Sequence, residues 1–194
     1  MPTVVATEAK GDERGALLAY LDAQRGAIRR AVHGLTEEQA RSKPTVSALS
    51  VSGVLKHVAR CERNWLRTMR GEPAAEFGDP AEIADWEDGF VLREDETVAS
   101  VLADYERIAR DTDRAVRALD SLDETFTVQP APWDRGGERS WRWALLHLIE
   151  ETARHAGHAD IIRESIDGKG AFDLVFETGA MPEPDWSAWG GGAA

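Results

Sequence analysis

Apolar residues recur every three or four positions along four long stretches of the chain. This spacing is typical of helices that bury one face and expose the other. The stretches cover about residues 12–33, 50–71, 95–120 and 140–166. Ser140 can cap the start of the last stretch, and Gly168 can end it. The pattern predicts an all-α fold, a four-helix bundle formed by one domain with its core at about residues 12–168.

The segments between these stretches differ in length and character. A long acidic connection at residues 71–94 separates the second and third predicted helices. A connection of this length is typical of a functional segment or of an overhand crossover. The shorter segments are predicted as a helical turn at 35–39, an irregular region at 121–139 with a short extended piece at 126–128, and an irregular tail at 170–194.

Composition narrows the class of protein. The chain has 194 residues, of which 42% are hydrophobic and 30% charged, as in a soluble globular domain. Its formal net charge of −12 argues against binding to nucleic acid, whose phosphates would be repelled. We find no signal segment and no apolar run of the roughly 20 residues that span a bilayer, so we expect no membrane partner and a cytoplasmic protein. The single cysteine, Cys61, allows no internal disulfide, which fits a reducing compartment.

The last predicted helix concentrates groups that can bind metal ions. Three of the five histidines lie in the segment HLIEETARHAGH, residues 147–158. At about 100° per residue, His147, Glu151, His155 and His158 fall within an arc of about 80°. One ion cannot bind all four, because His147 and His158 are about 16 Å apart along the helix axis. Neighbouring turns offer three alternative pairs: 147 with 151, 151 with 155, or 155 with 158.

A third ligand must come from another helix, and two histidines remain. His33 ends the first predicted helix, where a cation favours the helix dipole, so we interpret it as a capping residue. His57 lies among the apolar positions of the second helix and is the natural third ligand. Three protein ligands would leave one coordination position open, as in catalytic rather than structural metal sites. The alternative is that these histidines are hydrogen-bonded core residues. Cys61 is interpreted as a core residue rather than a fourth ligand or redox thiol.

Two segments carry a resemblance to a known superfamily. They are VSGVLKHVARCERNW at residues 51–65 and WALLHLIEETARHAGHADIIRE at residues 143–164. They resemble the DinB-like superfamily of bundle metalloproteins, and the arrangement of helices fits over residues 12–168. Glutamate at position 151, where many members have histidine, is similar to the branch of the mycothiol-dependent maleylpyruvate isomerase.

The resemblance implies a metal site, a cofactor and partners. It assigns His57, Glu151 and His155 as ligands of one divalent ion, usually zinc or nickel, and leaves His147 outside this set. A His₂Glu set suits zinc best but admits other divalent ions. In that branch the open position takes the thiol of mycothiol, which the metal holds as a thiolate that attacks an electrophile. We place His158, Asp160 and Arg163 near the pocket as cofactor-binding candidates.

Three functions compete at this point. The leading hypothesis is a metal-dependent transferase or isomerase that uses a low-molecular-weight thiol, such as mycothiol, and acts on a small electrophile. The second is a metal-binding or stress-response bundle without catalytic activity. The third is a plain helical homodimer in which the histidines form hydrogen bonds only. No residue is assigned a catalytic role, and no motif singles out an arginine for a substrate carboxylate.

Overall fold

Each of the four long apolar stripes forms one helix, which confirms the predicted all-α bundle. The computed structural model describes residues 12–72, 83, 88–132 and 134–185. The elements in chain order are α1 (Glu13–Ala31), α2 (Glu37–Arg41), α3 (Val51–Met69), a 3₁₀ turn (Asp88–Phe90), α4 (Val98–Ala118), β1 (Thr125–Val128), β2 (Gly137–Ser140), α5 (Trp141–Asp167) and α6 (Ala171–Glu177). None of the helices in these ranges combines the length and the apolar composition needed to cross a membrane.

Short polar side chains determine where the helices begin. Each accepts a hydrogen bond from a backbone N–H in the first turn, which would otherwise lack a partner. The predicted cap Ser140 does this for α5, accepting from the N–H of Trp143. Thr97 caps α4, which therefore begins a few residues later than the predicted start at about residue 95. The remaining caps of α1, α2 and α3 are Asp12, Thr36 and Ser50.

The core consists of two clusters, which together show the direction of each helix. The upper cluster contains the C-terminal halves of α1 and α5 and the N-terminal halves of α3 and α4. The lower cluster contains the opposite halves, for example Leu18 of α1, Leu66 of α3 and Val116 of α4. Helices α1 and α5 are therefore parallel to each other and antiparallel to α3 and α4. Because α3 and α4 run in the same direction, the chain must return to the upper end between them, which agrees with the overhand crossover, one of the two interpretations of the long connection.

A buried ion cluster joins three helices between the two apolar clusters. Arg25 of α1 is fully buried, and its Nε and Nη2 donate to the two carboxylate oxygens of Glu62 of α3 at 3.0 and 2.5 Å. Its Nη1 donates to Asp113 of α4 at 2.9 Å. A buried charge without a partner costs several kcal/mol. The cluster therefore fixes the positions of the three helices relative to one another along the bundle axis.

Two segments differ from the predicted irregular structure. Residues 125–128, which include the predicted extended piece, pair antiparallel with residues 137–140, so the 121–139 region contains a hairpin whose second strand was not predicted. The prediction of an irregular tail is wrong over Ala171–Glu177, which form α6 and bury Leu174 and Val175. Its seven residues cover only about two turns, and apolar residues stand at five of the seven positions, so the sequence shows no helical periodicity to recognise. Residues 186–194 of the predicted tail and residues 73–82 and 84–87 of the long connection lie outside the described residues.

We predict that the substitution Glu62→Gln destabilises the protein by about 3 kcal/mol or more. The amide cannot neutralise Arg25, and breaking a buried ion pair by removing one partner typically costs about 3–5 kcal/mol. The measurement is the free energy of unfolding from urea titration, with chelator present so that bound metal does not contribute.

The matched control is Glu106→Gln on the same bundle. Glu106 faces Arg110 at 4.0 Å, and both side chains are exposed. Exposed pairs contribute little, so the expected loss is about 0.3 kcal/mol. Equal effects of the two substitutions would show that the Arg25 cluster is not needed for stability.

Candidate metal centre

The three predicted ligands, His57, Glu151 and His155, converge on one point between α3 and α5. The Nε2 atom of His57 and the Nε2 atom of His155 each lie 3.1 Å from the same oxygen, Oε1 of Glu151. One donor atom of each residue lies within 4.8 Å of those of the other two. Two imidazoles and a carboxylate at this spacing form a donor set that fits a divalent ion.

The antiparallel arrangement of α3 and α5 determines which residues of α5 lie beside His57. Near the start of α3, His57 meets Glu151 and His155. Two turns further along α3, Trp65 meets Trp143 and His147, which lie earlier on α5. Had the two helices been parallel with aligned starts, His57 would lie closer to His147. The structure therefore brings together the pair 151 and 155 among the three alternatives that helical spacing allowed.

His147 belongs to an aromatic group one turn away from the centre. Its ring stacks on Trp143 with a centroid separation of 5.2 Å and an angle of 12° between the planes. It also meets the edge of the Trp65 ring at 5.0 Å. Its Nδ1 atom lies 3.7 Å from the exposed carboxylate of Glu150, beyond hydrogen-bond distance. His147 thus lies apart from the converging donor atoms, as expected from the resemblance.

Phe90 is a residue of the centre that was not predicted. Its ring stacks on His57 with centroids 4.0 Å apart and planes 12° apart, and it lies 5.8 Å from the ring of His155. It reaches this place because the end of the crossover passes against the first turn of α3. A Cβ atom on Gly53 would lie 2.1 Å from the Phe90 carbonyl oxygen, so only glycine fits there. A glycine near the start of a helix was the available sequence signal for such a close approach.

The carboxylate of Glu151 is held in its ionised form. Hydrogen bonds from His155 and then from His57 lower its pKa far below the usual range, against the opposing effect of partial burial. The side chains of His57, Glu151 and His155 are 25%, 22% and 11% exposed, so the centre is sheltered but reachable from solvent. A fixed negative charge between two imidazoles favours a cation at this point.

Cys61 lies one turn from His57 but is not a reactive thiol. Burial, together with the negative charges of Glu151 and Glu62, raises the pKa of the Cys61 thiol to about 12. A thiol needs a lowered pKa to act as a nucleophile or ligand at neutral pH. This argues against Cys61 as a fourth ligand or redox thiol, and the residue itself is half-buried beside the core clusters.

His158 lies at the upper edge of the centre. Its ring meets the edge of the His155 ring with a centroid separation of 5.4 Å. The residue is exposed. A role of His158 in cofactor binding stays a prediction, which this position allows.

Asp160 and Arg163 lie away from the centre and do not form the exposed pair considered as an alternative. Arg163 is 1% exposed; its Nε and Nη2 donate to Asp167, and its Nη1 donates to the carbonyl oxygens of Ala31 and His33 at 3.0 and 2.7 Å. It therefore closes the C-terminal end of α1, the role expected of the His33 side chain. Burial, and then the negative charge of Glu164, raises the pKa of Asp160 against the opposing positive charge of Arg30. These contacts give Arg163 a structural role and do not support its prediction as a ligand-binding residue.

Comparisons with known proteins identify a family and a fold. A family model described as mycothiol-S-transferase matches residues 16–168 of the chain. No curated protein matches. The solved structures with a similar fold include the crystal structure of a conserved protein from Enterococcus faecalis, which is 15% identical, has a TM-score of 0.55, and aligns over 79% of this chain and 96% of that chain.

We predict that Gly53→Ala destabilises the protein by about 1–3 kcal/mol, the usual cost of overpacking. The added methyl group would force the Phe90 carbonyl away and disturb the ring that covers His57. The measurement is the free energy of unfolding of the metal-free protein.

Gly157→Ala in α5 is the control, because a Cβ at this helical position meets nothing within 4 Å. It should raise the free energy of unfolding by about 0.5–1 kcal/mol, since alanine loses less conformational entropy than glycine. If Gly53→Ala were also stabilising, the close approach of the crossover to α3 would be wrong.

Proposed function

Because the chain belongs to the mycothiol-S-transferase family, we propose that it joins mycothiol through its sulfur to a small electrophile, using one divalent ion held by His57, Glu151 and His155. The convergence of both Nε2 atoms on one oxygen of Glu151 carries this proposal. The donors come from two different helices, and three protein ligands leave one coordination position open for a thiol.

The donor set favours zinc and admits nickel. Imidazole nitrogen suits both ions, and the carboxylate supplies the negative charge that partly balances a divalent cation. When bound, such an ion supplies the positive charge that stabilises a thiolate at neutral pH. The part of the protein is to hold these donors in place: Phe90 covers one face of the His57 ring, and α5 presents Glu151 and His155 on successive turns.

The nucleophilic sulfur comes from the cofactor in this proposal. The protein's own thiol, Cys61, stays protonated at neutral pH because its pKa is raised to about 12. In the transfer, the thiol loses its proton to solvent, its sulfur forms a bond to the electrophilic carbon, and the displaced group leaves with its bonding electrons. The family description names a transferase, so we propose this reaction rather than an isomerisation.

We predict that His155→Ala loses most of the bound metal and that His147→Ala keeps it. The first substitution leaves two ligands, which hold an exchangeable ion poorly, whereas the second removes only a ring of the neighbouring aromatic group. The measurement is the metal content of each variant by mass spectrometry after dialysis against a defined zinc concentration.

Two adjacent glutamates provide a matched control. Glu151→Gln should lose most of the metal, and Glu150→Gln should retain it, because Glu150 is exposed and points away from the converging atoms. Metal lost from the His147 variant but kept by the His155 variant would move the site one turn toward the start of α5 and contradict the assignment.

We predict that the zinc- or nickel-loaded protein conjugates a general alkylating electrophile when mycothiol is supplied. Chelator treatment should abolish the catalysed rate, and added metal should restore it. The measurement is the rate of conjugate formation by liquid chromatography, with mycothiol and bacillithiol tested in parallel.

Cys61→Ala serves as the control and should keep the activity, since the Cys61 thiol takes no part in the proposed reaction. A protein that binds the metal but conjugates no electrophile with either thiol would instead support the second hypothesis, a metal-binding bundle without catalytic activity.

A further inference from the structure

Three rings form a continuous group beside the metal centre, which we call the aromatic wall: Trp65, Trp143 and His147. The Trp65 ring meets both others edge-on or tilted, at 5.3 Å from Trp143 and 5.0 Å from His147. On its inner side, Trp65 contacts Phe126 at 6.4 Å, which anchors the wall to the lower core cluster. These contacts hold the rings in fixed positions.

The wall and the metal centre occupy one seam between α3 and α5. On α5, Trp143, His147, Glu151 and His155 follow at intervals of four residues and therefore form one slowly turning stripe. His147 is one turn, or about 6 Å along the axis, from Glu151. A small molecule whose reacting atom lies at the centre can therefore reach the wall with a group only a few bonds away.

Part of the wall remains open to solvent. Trp143 is 38% exposed, and the His147 side chain is 28% exposed. Large aromatic side chains are usually well buried, and fixed aromatic groups beside a polar centre are typical of ligand pockets. The protein thus leaves apolar ring surface uncovered next to its candidate centre.

Two groups lie against the ring of Trp143. One face is covered by the parallel ring of His147 at 5.2 Å. The guanidinium of Arg139 lies over the ring at 5.4 Å, and it is held there by Asp134 and by the carbonyl oxygens of Gly136 and Glu138. Ring edges carry partial positive charge and attract the negative face of another π-system. The wall therefore offers ring surface that a flat conjugated group can meet in an offset-stacked or edge-to-face arrangement.

We propose that the aromatic wall binds the electrophile and selects substrates with a flat aromatic or conjugated group a few bonds from the reacting carbon. This inference rests on the proposed transferase function and adds the substrate class to it. Because the wall consists of aromatic rings and lies one turn from Glu151, it suits a flat π-system attached close to the reacting carbon of the electrophile.

The test compares chloroacetamide with N-phenylchloroacetamide, each with mycothiol and the zinc-loaded protein. In both reactions the thiol loses its proton to buffer, a carbon–sulfur bond forms, and chloride leaves with the electron pair of the carbon–chlorine bond. For each compound pair we take the value for N-phenylchloroacetamide divided by the value for chloroacetamide. We expect this ratio for the enzymatic kcat/KM to exceed the same ratio for the uncatalysed rates by about tenfold. Trp143→Leu should lower this excess to about twofold, mainly through a higher KM for the phenyl compound.

Phe172→Leu is the matched control, because Phe172 is an exposed aromatic residue on α6 outside the seam, 68% exposed. It should leave the tenfold excess unchanged. An excess that persists in Trp143→Leu would overturn the inference, as would a Trp143→Leu variant whose KM rises for mycothiol and not for the electrophile.

A binding measurement keeps the inference separate from the transferase function. The unreactive analogue N-phenylacetamide is titrated into chelator-treated protein, and the indole N–H signals of the seven tryptophans are followed by NMR. Shifts should appear in the signals of Trp65 and Trp143, identified by their loss in Trp65→Leu and Trp143→Leu. Turnover of chloroacetamide without preference or shifts would overturn the inference and leave the transferase function standing. Shifts without any turnover would support the wall and reject the transferase function.

Discussion

Buried charges require partners, and in this bundle the partners lie on different segments of the chain. Arg25 joins α1 to Glu62 of α3 and Asp113 of α4. Lys56 of α3 donates to Glu96 and to the carbonyl oxygen of Val91, just before α4. Because an unpaired buried charge would cost several kcal/mol, each link fixes how far one segment can slide along another. Hydrophobic contacts alone tolerate such sliding far better, since they are not directional.

The candidate centre depends on this fixed register. His57 and the pair Glu151 and His155 can share one point only while α3 and α5 remain antiparallel at their observed level. Arg163 contributes at the upper end, where it ties α5 to the last carbonyl groups of α1. The crossover adds Phe90, which closes one side of His57. The position of a few polar atoms thus depends on contacts distributed over the whole bundle.

The seam between α3 and α5 has two chemically different ends. Toward the upper end, the imidazoles of His57 and His155 lie against one carboxylate oxygen of Glu151. Toward the lower end, tryptophan rings pack against each other and against His147. Cys61 lies between these ends, and its raised pKa keeps it out of the chemistry. Both ends arise because residues spaced four apart on α3 and α5 lie on the face that the two helices share. The candidate metal centre and the aromatic surface therefore lie in one line along this face.

Local features of the sequence determined the four long helices, because apolar spacing and capping residues such as Ser140 act within a few positions of the chain. They also determined that one helix carries an excess of metal-binding groups, although spacing alone left three pairs open and the choice of 151 with 155 came from a resemblance. Only the tertiary structure decided that His57 lies beside Glu151 and His155, that Phe90 stacks on His57, and that Arg163 is buried. Each of these depends on where a distant segment returns, and neither helical periodicity nor local propensity contains the direction in which two separated helices pack. The short helix α6 could not be predicted for a related reason: it is stabilised by packing on α1 rather than by its own sequence.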